Sequence, residues 1–312
     1  LLSILPILLV LFVVSAFVRP LVPLHSPLCD EVPPYGWRTL RILLPSSLLL
    51  DGGRVHLEPS LATRTIDIVG TGGDKSNSVN VSTMSSLVVA GAGVPVCKHG
   101  NRAASSKCGA ADLLEAAGVA VELDGDGVAA VIAEAGFGFC LAAHFHPAFR
   151  YTGPSRREIG IPTVFNLLGP MANPAPISNM LVGVAMPNMM EAMVGALASR
   201  NVTSAWVVHG HGGLDELAVS GPNIVYELRD GNISRFEIDA ADFGITHSLL
   251  ADIRGGDATD NLVIMNDLFA GKAGAVRDIV TFNAGCALFV ANHVGSVADG
   301  IDVARTTIDS GA

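Results

Sequence analysis

The sequence predicts an α/β fold in which helices flank a mostly parallel central sheet. From Thr65 onward, short β-branched or apolar runs alternate with Ala-rich segments of helical periodicity. The apolar runs lack polar alternation, as expected for strands that are buried on both faces. A glycine-rich loop at residues 70–74 follows the first run, at the position of a strand-to-helix turn. Because 50% of the 312 residues are hydrophobic and only 15% are charged, we expect a large core.

Each element follows from these local patterns. The candidate strands are rich in β-branched or apolar residues and cover 65–69, 94–98, 119–123, 137–141, 180–184 and 205–209. The candidate helices cover 81–92, 110–117, 127–135, 189–199, 258–270 and 275–293. Asn80 is predicted to be an N-cap, and Gly118 and Gly136 stand where helices end in glycine. Asp230-Gly231 predicts a hairpin turn between strands at 224–228 and 233–238.

The first 64 residues differ from the remainder, so the predicted domain covers residues 65–312. Residues 1–16 are almost unbroken apolar sequence and resemble the core of a signal peptide, with small residues at Val14-Ser15-Ala16. The Phe17 that follows resembles the junction of bipartite leaders in algae with complex plastids, which predicts a plastid protein without a membrane segment in its mature form. The alternative is a misassembled segment and a cytoplasmic protein. Residues 17–64 are rich in proline and read as leader, linker or non-native sequence.

Charge and cysteine content exclude several classes of function. The formal net charge of −10 argues against general nucleic-acid binding, which needs basic surfaces. The five cysteines are odd in number, scattered and without a C-x-x-C motif, which excludes a disulfide framework or a zinc site. We therefore expect free thiols.

Three motifs in the first part of the domain predict a phosphate site. These are Gly70-Thr-Gly-Gly-Asp74, Asn80-Val-Ser-Thr83 and the loop 98–106, which carries Lys98 and Arg102. A glycine-rich loop, a helix start and fixed cations together suit a multiply phosphorylated ligand. Taken alone, a glycine-rich turn is often only a tight turn, and Lys98 alone is compatible with a solvated lysine. The order of the motifs along the chain is more specific than any one of them.

With four later motifs, the region from about Ile66 to the C-terminus resembles the anthranilate phosphoribosyltransferase family. These motifs are His146-Pro147, Arg156-Arg-Glu-Ile-Gly160, Phe165-Asn-Leu-Leu-Gly-Pro170 and Gly213-Leu-Asp-Glu216. The resemblance implies transfer of a phosphoribosyl group from phosphoribosyl pyrophosphate (PRPP) to anthranilate, with Mg²⁺, in tryptophan biosynthesis. It also implies a nucleoside phosphorylase/phosphoribosyltransferase catalytic domain and a homodimer. The family's N-terminal helical domain has no recognisable counterpart before Thr65, and the family's final helix is expected to be truncated.

The resemblance also implies roles for individual residues. The positions that match the family's PRPP site are Gly70, Gly73, Asp74, Ser78, Asn80, Val81, Ser82, Thr83, Lys98, His99, Gly100, Asn101, Arg102, Ala103, Ala104, Ser105, Ser106 and Ala110. Those that match its anthranilate site are Gly70, Asn101, His146, Arg156 and Pro170. Those that match its metal site are Ser82, Asp215 and Glu216. No covalent nucleophile is required, and no catalytic residue beyond these binding groups is assigned.

The chain departs from the family pattern at a few positions, and two other functions stay open. Many members have a small hydroxyl residue at Ala110, and acidic residues at His211 and Gly212. A pyrimidine nucleoside phosphorylase would share the fold but use phosphate and a nucleobase. A non-catalytic relative that binds nucleic acid would need a basic groove, against which the net charge argues.

Overall fold

The computed structural model describes residues 53–103, 106–147, 164–200 and 202–312, with only the backbone of 164–167. The predicted leader at 1–16, most of segment 17–64, and Arg156 lie outside these residues. Within the described ranges, no helix has the combination of length and apolar character needed to span a bilayer.

Strands and helices alternate along the chain. The strands are β1 (Ile66–Gly70), β2 (Val96–Gly100), β3 (Phe137–Leu141), β4 (Asn179–Gly183), β5 (Ser204–His209), β6 (Asn223–Arg229) and β7 (Asn232–Ile238). The α-helices are α1 (Pro59–Ala62), α2 (Val81–Gly91), α3 (Ala110–Ala116), α4 (Gly125–Ala135), α5 (Ala142–Phe145), α6 (Val164–Met171), α7 (Met190–Ala198), α8 (Ala258–Phe269), α9 (Ala275–Val290) and α10 (Val297–Ser310).

The seven strands form one mixed sheet in the order β3-β2-β1-β4-β5-β6-β7. The first five run parallel, and β6 and β7 extend the sheet as an antiparallel hairpin. Asp230 and Gly231 turn this hairpin with φ values of 50° and 82°. Both are positive, as a type I′ turn requires. The predicted α/β fold with a mostly parallel sheet is therefore confirmed.

Two hydrophobic clusters cover the two faces of the sheet. On one face, α2 and α9 pack over β1, β2 and β5 through buried residues such as Met84 and Phe282. On the other face, α4 and α7 contribute residues such as Val128 and Met193. Val55 belongs to this second cluster and is buried, while Leu61 of α1 packs against it. Packed structure therefore begins before residue 65, at least as early as Val55.

Most predicted elements are confirmed with ends that differ by two residues or fewer, but the helix predicted at 275–293 ends three residues earlier, at Val290, and helices α1, α5 and α6 were not predicted. The strand predicted at 119–123 is wrong: the segment has one buried face at Val121 but no neighbouring strand with which to pair among the described residues. Helix α10 was not predicted, although Ser296 caps it by accepting a hydrogen bond from the Asp299 N–H. Gly118 and Gly136 have positive φ values after α3 and α4, as predicted.

The sheet reverses its strand order between β1 and β4, which is where ligands bind in folds of this kind. At this point Gly70 of β1 pairs with Gly183 of β4. The segment containing Asp215 crosses directly over both, so that a Cβ on either glycine would overlap Asp215. Asn283 of α9 fixes this segment by exchanging two hydrogen bonds with the backbone of Leu217, at 3.0 and 2.8 Å.

This close crossing predicts an unequal effect of two Gly→Ala changes. Gly183→Ala should lower the free energy of unfolding by about 1–3 kcal/mol, because the new methyl group overlaps the Asp215 carbonyl oxygen. Gly195→Ala is the matched control: it lies in α7 with open space at its Cβ position and should raise stability by roughly 0.5–1 kcal/mol. Urea unfolding measures both values. Equal stability of the two variants would contradict the crossing.

Candidate active site

The loop after β1 has a backbone that is suited to an anion. Gly72 and Gly73 have φ values of 68° and 84°, and Lys75 and Asn77 also have positive φ values. Left-handed residues within a loop turn successive N–H groups toward one side, which forms an anion-binding concavity. Ser78 closes the loop through a β-bridge to Arg254. The first predicted motif is therefore a shaped loop at the end of a central strand.

Helix α2 begins directly after this loop. Val81 and Thr83 are buried, and the Thr83 hydroxyl has no hydrogen-bond partner in the described part of the chain. The prediction that Asn80 caps the helix with its side chain is wrong. Its amide instead donates to the Cys108 carbonyl at 3.2 Å and accepts from Asn261 at 2.9 Å. Asn80 thus ties the helix start to two other segments and does not cap the first turn of α2 with its side chain.

Asp215 and Glu216 reach this helix and loop from the other side of the switch point, the place between β1 and β4 where the strand order reverses. Asp215 Oδ2 accepts the Gly72 N–H at 2.6 Å, and Glu216 Oε1 accepts the Ser82 N–H at 3.1 Å. Burial, together with repulsion from Asp74, raises the pKa of Asp215 to about 7. Burial and the neighbouring Asp215 raise the pKa of Glu216. The structure therefore brings the three predicted metal residues, Ser82 and the two acids, into one place.

The donor atoms here fit Mg²⁺. Asp74 Oδ1 accepts the Ser76 N–H at 3.2 Å, but Asp74 Oδ2 is buried and lacks a hydrogen-bond partner among the described residues. The repulsion between Asp74 and Asp215 is relieved when either a proton or a cation binds between them. No group of three or more His, Cys, Asp or Glu side chains in the described ranges is arranged to hold a metal alone. Mg²⁺ needs no such group, since it binds through few carboxylates, waters and substrate phosphates.

Lys98 provides the positive charge at the centre of the site. It lies in β2 and is only 2% exposed, so the alternative of a solvated lysine is wrong. Its ammonium group donates to the Ile68 carbonyl at 2.6 Å and to Ser82 Oγ at 3.3 Å. Burial lowers the pKa of Lys98, and the charges of Asp67, Glu216 and Asp215 oppose that shift. Lys98 is thus held between the β1–β2 edge and helix α2.

Asp67 is the main residue of this region that sequence reasoning missed. It is fully buried in β1 and accepts hydrogen bonds from the His99 N–H at 3.1 Å and from Asn173 Nδ2 at 2.9 Å. Burial raises its pKa to about 6. The signal in the sequence was an acidic residue in the middle of an otherwise apolar strand. Asn173 gave the weaker signal of an Asn-Pro turn.

The second loop leaves β2 at Gly100. Asn101 is exposed, and its side chain accepts the N–H of Arg102. The exposed Arg102 guanidinium is bound bidentately by Glu115. Asp112 fixes the loop by accepting the Ala103 N–H at 2.9 Å. Of the remaining predicted positions, Ser106 donates its hydroxyl to the Cys108 carbonyl, and Ala110 is the first residue of α3. Ala104 and Ser105 lie outside the described residues.

Two buried histidines form a wall next to this loop. The rings of His99 and His146 lie edge to face with centroids 5.2 Å apart. Burial, then repulsion from His146, lowers the pKa of His99 to about 3, so its ring is neutral at physiological pH. The backbone of Gly169 also interacts with His99, which brings the adjacent Pro170, itself buried in α6, near this wall. The His99 ring of this wall is therefore uncharged, and both rings offer flat surfaces against which an aromatic ligand can pack.

The structure thus gathers most of the predicted site residues at the carboxyl ends of β1, β2 and β4. Arg156, the predicted carboxylate-binding residue, lies outside the described part of the chain. The described cysteines, Cys97, Cys108, Cys140 and Cys286, are all free, as predicted, and all four are buried.

Comparison with known proteins agrees with this geometry. The model of the glycosyl transferase family, a/b domain, matches residues 62–312. The anthranilate phosphoribosyltransferase of Rhodococcus jostii (strain RHA1) is 50% identical over 253 residues, covering 79% of this chain and 70% of the relative. The enzyme of that name from Azorhizobium caulinodans is 47% identical over 248 residues, covering 80% and 72%.

Two solved structures have the same fold. The anthranilate phosphoribosyltransferase (TrpD) of Thermus thermophilus superposes with a TM-score of 0.77 at 39% identity and covers 88% of this chain and 79% of its own. The Saccharomyces cerevisiae enzyme in complex with PRPP and Mg has a TM-score of 0.78 at 28% identity, covering 85% and 74%. On these similarities and the site geometry, the chain belongs to the anthranilate phosphoribosyltransferase family.

Proposed function

We propose that this chain transfers the phosphoribosyl group of PRPP to the amino group of anthranilate, giving N-(5-phosphoribosyl)anthranilate and pyrophosphate in tryptophan biosynthesis. The observation that carries the proposal is the joint placement of the glycine-rich loop, Lys98 and the Asp215–Glu216 pair at the switch point. This arrangement provides backbone N–H groups for phosphates and carboxylates for a cation within one crevice. Membership of the anthranilate phosphoribosyltransferase family indicates that the two substrates are PRPP and anthranilate.

The pyrophosphate end of PRPP fits the loop and the first turn of α2. The positive end of the α2 helix dipole and the backbone N–H groups of the glycine-rich loop attract phosphate, and Lys98 adds a positive charge. Ser82, Asp215 and Glu216 would hold Mg²⁺, with Asp74 beside them. When bound, Mg²⁺ would neutralise charge that develops on the leaving pyrophosphate. Lys98 acts on the same charge from the β2 side, where burial makes its electrostatic effect stronger than in water.

The residues proposed to bind anthranilate would orient this substrate, and none of them would need to act as a strong base. The His99–His146 wall and Pro170 suit the flat, apolar ring of anthranilate, and Asn101 would offer an amide between the two substrates. Arg156 is proposed to bind the anthranilate carboxylate with its guanidinium fork. Because C1 of the ribose gains oxocarbenium character as pyrophosphate leaves, correct placement of the amine is the main requirement.

The homodimer and the plastid location that the sequence predicts remain proposals. The chain spans 70% and 72% of the length of the two relatives described above. Nucleic acid is not proposed as a partner, since the net charge is −10.

The substrate assignment is tested by the loss of anthranilate fluorescence. With PRPP and Mg²⁺, the protein should consume anthranilate and release pyrophosphate in equal amounts, and chelation of Mg²⁺ should stop both. Activity with thymidine and phosphate, in the absence of activity with anthranilate, would instead identify a pyrimidine nucleoside phosphorylase.

The metal assignment is tested by neutralising the acidic pair. Asp215→Asn combined with Glu216→Gln should lower turnover roughly a hundredfold, because amides are poor Mg²⁺ ligands and a preorganised charge is lost. The fold should persist, since both side chains are held by backbone N–H groups that amide oxygens also accept. Titrating Mg²⁺ at fixed PRPP measures the effect.

The matched control changes the same chemical groups away from the site. Asp126→Asn combined with Glu134→Gln alters two exposed acids of α4 and should leave turnover and Mg²⁺ dependence unchanged. Turnover at the wild-type level in the Asp215–Glu216 variant would place the metal site elsewhere.

A further inference from the structure

Strands β1 and β2 separate near their carboxyl ends. Within the described residues they share one ladder pair, Ile66 with Val96, whereas β1 with β4 and β2 with β3 each share five. Beyond the single pair, the facing backbone groups of β1 and β2 need other partners, because buried N–H and C=O groups must be hydrogen-bonded. The separation lies directly beneath the proposed PRPP site.

Two charged side chains bridge this separation, one from each strand. Asp67 of β1 accepts the backbone N–H of His99 through Oδ1 at 3.1 Å. Lys98 of β2 donates to the backbone carbonyl of Ile68 at 2.6 Å. Each strand thus supplies an ionised group where the ladder would supply a backbone group. The position of Lys98 and His99 relative to β1 is therefore set by side chains and not by sheet register.

The second oxygen of Asp67 extends this bridge to a third segment. Asp67 Oδ2 accepts Asn173 Nδ2 at 2.9 Å, and the same nitrogen donates to the Cys97 carbonyl at 2.8 Å. Asn173 Oδ1 accepts the Ala175 N–H at 2.9 Å, which fixes the orientation of the amide. Asn173 follows α6, which contains Pro170. The Asp67 carboxylate therefore connects three parts of the chain: β1, which precedes the glycine-rich loop; β2, which carries Lys98; and the Asn173 segment near the His99–His146 wall.

Packing alone does not account for a carboxylate at this position. Asp67 is completely buried, and a buried carboxylate is unfavourable unless its hydrogen bonds and charge are compensated. Its hydrogen bonds reach only groups that lead to the two proposed substrate sites. We propose that Asp67 is a positioning residue of the transfer reaction, which holds Lys98 and His99 on one side and the Asn173 segment on the other. This inference rests on the proposed function.

The test compares Asp67→Asn, Asp67→Ala and Asn173→Ala with wild type in steady-state kinetics. The asparagine keeps the size of the side chain but has one acceptor oxygen for two donors, the His99 N–H and Asn173 Nδ2, so one of these two hydrogen bonds should be lost while the protein stays folded. We expect kcat to fall roughly ten- to a hundredfold, the effect of small misplacements between reactants. KM for PRPP should change less than kcat, because Lys98 and the loop remain.

Asn179→Ala is the matched control for loss of a buried polar side chain. Asn179 is a buried residue of β4 whose amide donates to the Thr63 and Thr65 carbonyls, at the opposite end of the sheet. It should lower stability without changing kcat. If Asp67→Asn and Asn173→Ala keep wild-type kcat, or if they lose no more than Asn179→Ala, the positioning role is wrong.

Hydrogen exchange gives a second readout that does not depend on activity. The amide of His99 should exchange faster in Asp67→Ala than in wild type, whereas Asn179→Ala should leave that amide unchanged. Unchanged protection of His99 would overturn the bridge itself. A wild-type protein inactive with anthranilate and PRPP would reject the proposed function, and the exchange result would still decide whether Asp67 holds β2.

Discussion

The burial of one ammonium group among three carboxylates is the interaction on which the site depends. Lys98 lies between Asp67 on one side and Asp215 and Glu216 on the other, at the carboxyl end of the sheet. When all four groups are ionised, the cluster carries a net charge of −2, from one ammonium and three carboxylates. Burial shifts every one of these groups toward its neutral form, because an uncompensated buried charge costs several kcal/mol. A divalent cation bound by Asp215 and Glu216 would favour their ionised forms and offset that cost.

The sheet topology explains how these charges meet. Asp67 and Lys98 lie on adjacent strands, while the Asp215–Glu216 segment arrives from beyond β5 and crosses above Gly70 and Gly183. The order of strands reverses at this point, so the crevice is open to a ligand. The local separation of β1 from β2 is bridged by the side chains of Asp67 and Lys98. Side-chain bridges across that separation give the site a fixed shape that sheet hydrogen bonds alone would not provide.

Much of this arrangement could be predicted from sequence, because strand periodicity and the glycine-rich loop are local signals. Lys98 and the Asp215–Glu216 pair were found through the order of motifs. The segment 119–123 was wrongly predicted as a strand, since its pattern shows burial but not the presence of a pairing partner. The hydrogen bonds of Asn80 were mispredicted for a related reason: its partner Asn261 lies 181 residues away. Asp67 was missed because its role comes from a separation between strands, which no local pattern reports.

Because their pKa values are raised, the buried acids Asp215 and Glu216 should be partly protonated until a cation and PRPP bind. Calorimetry of PRPP binding with Mg²⁺, in two buffers of different ionisation enthalpy near pH 7, measures the protons exchanged. Because a bound cation favours the ionised forms of Asp215 and Glu216, whose pKa values are raised in the free protein, we expect net proton release by the protein. Protons released when Mg²⁺ and PRPP mix without protein are subtracted. Proton uptake, or no exchange, would show that binding does not ionise these acids.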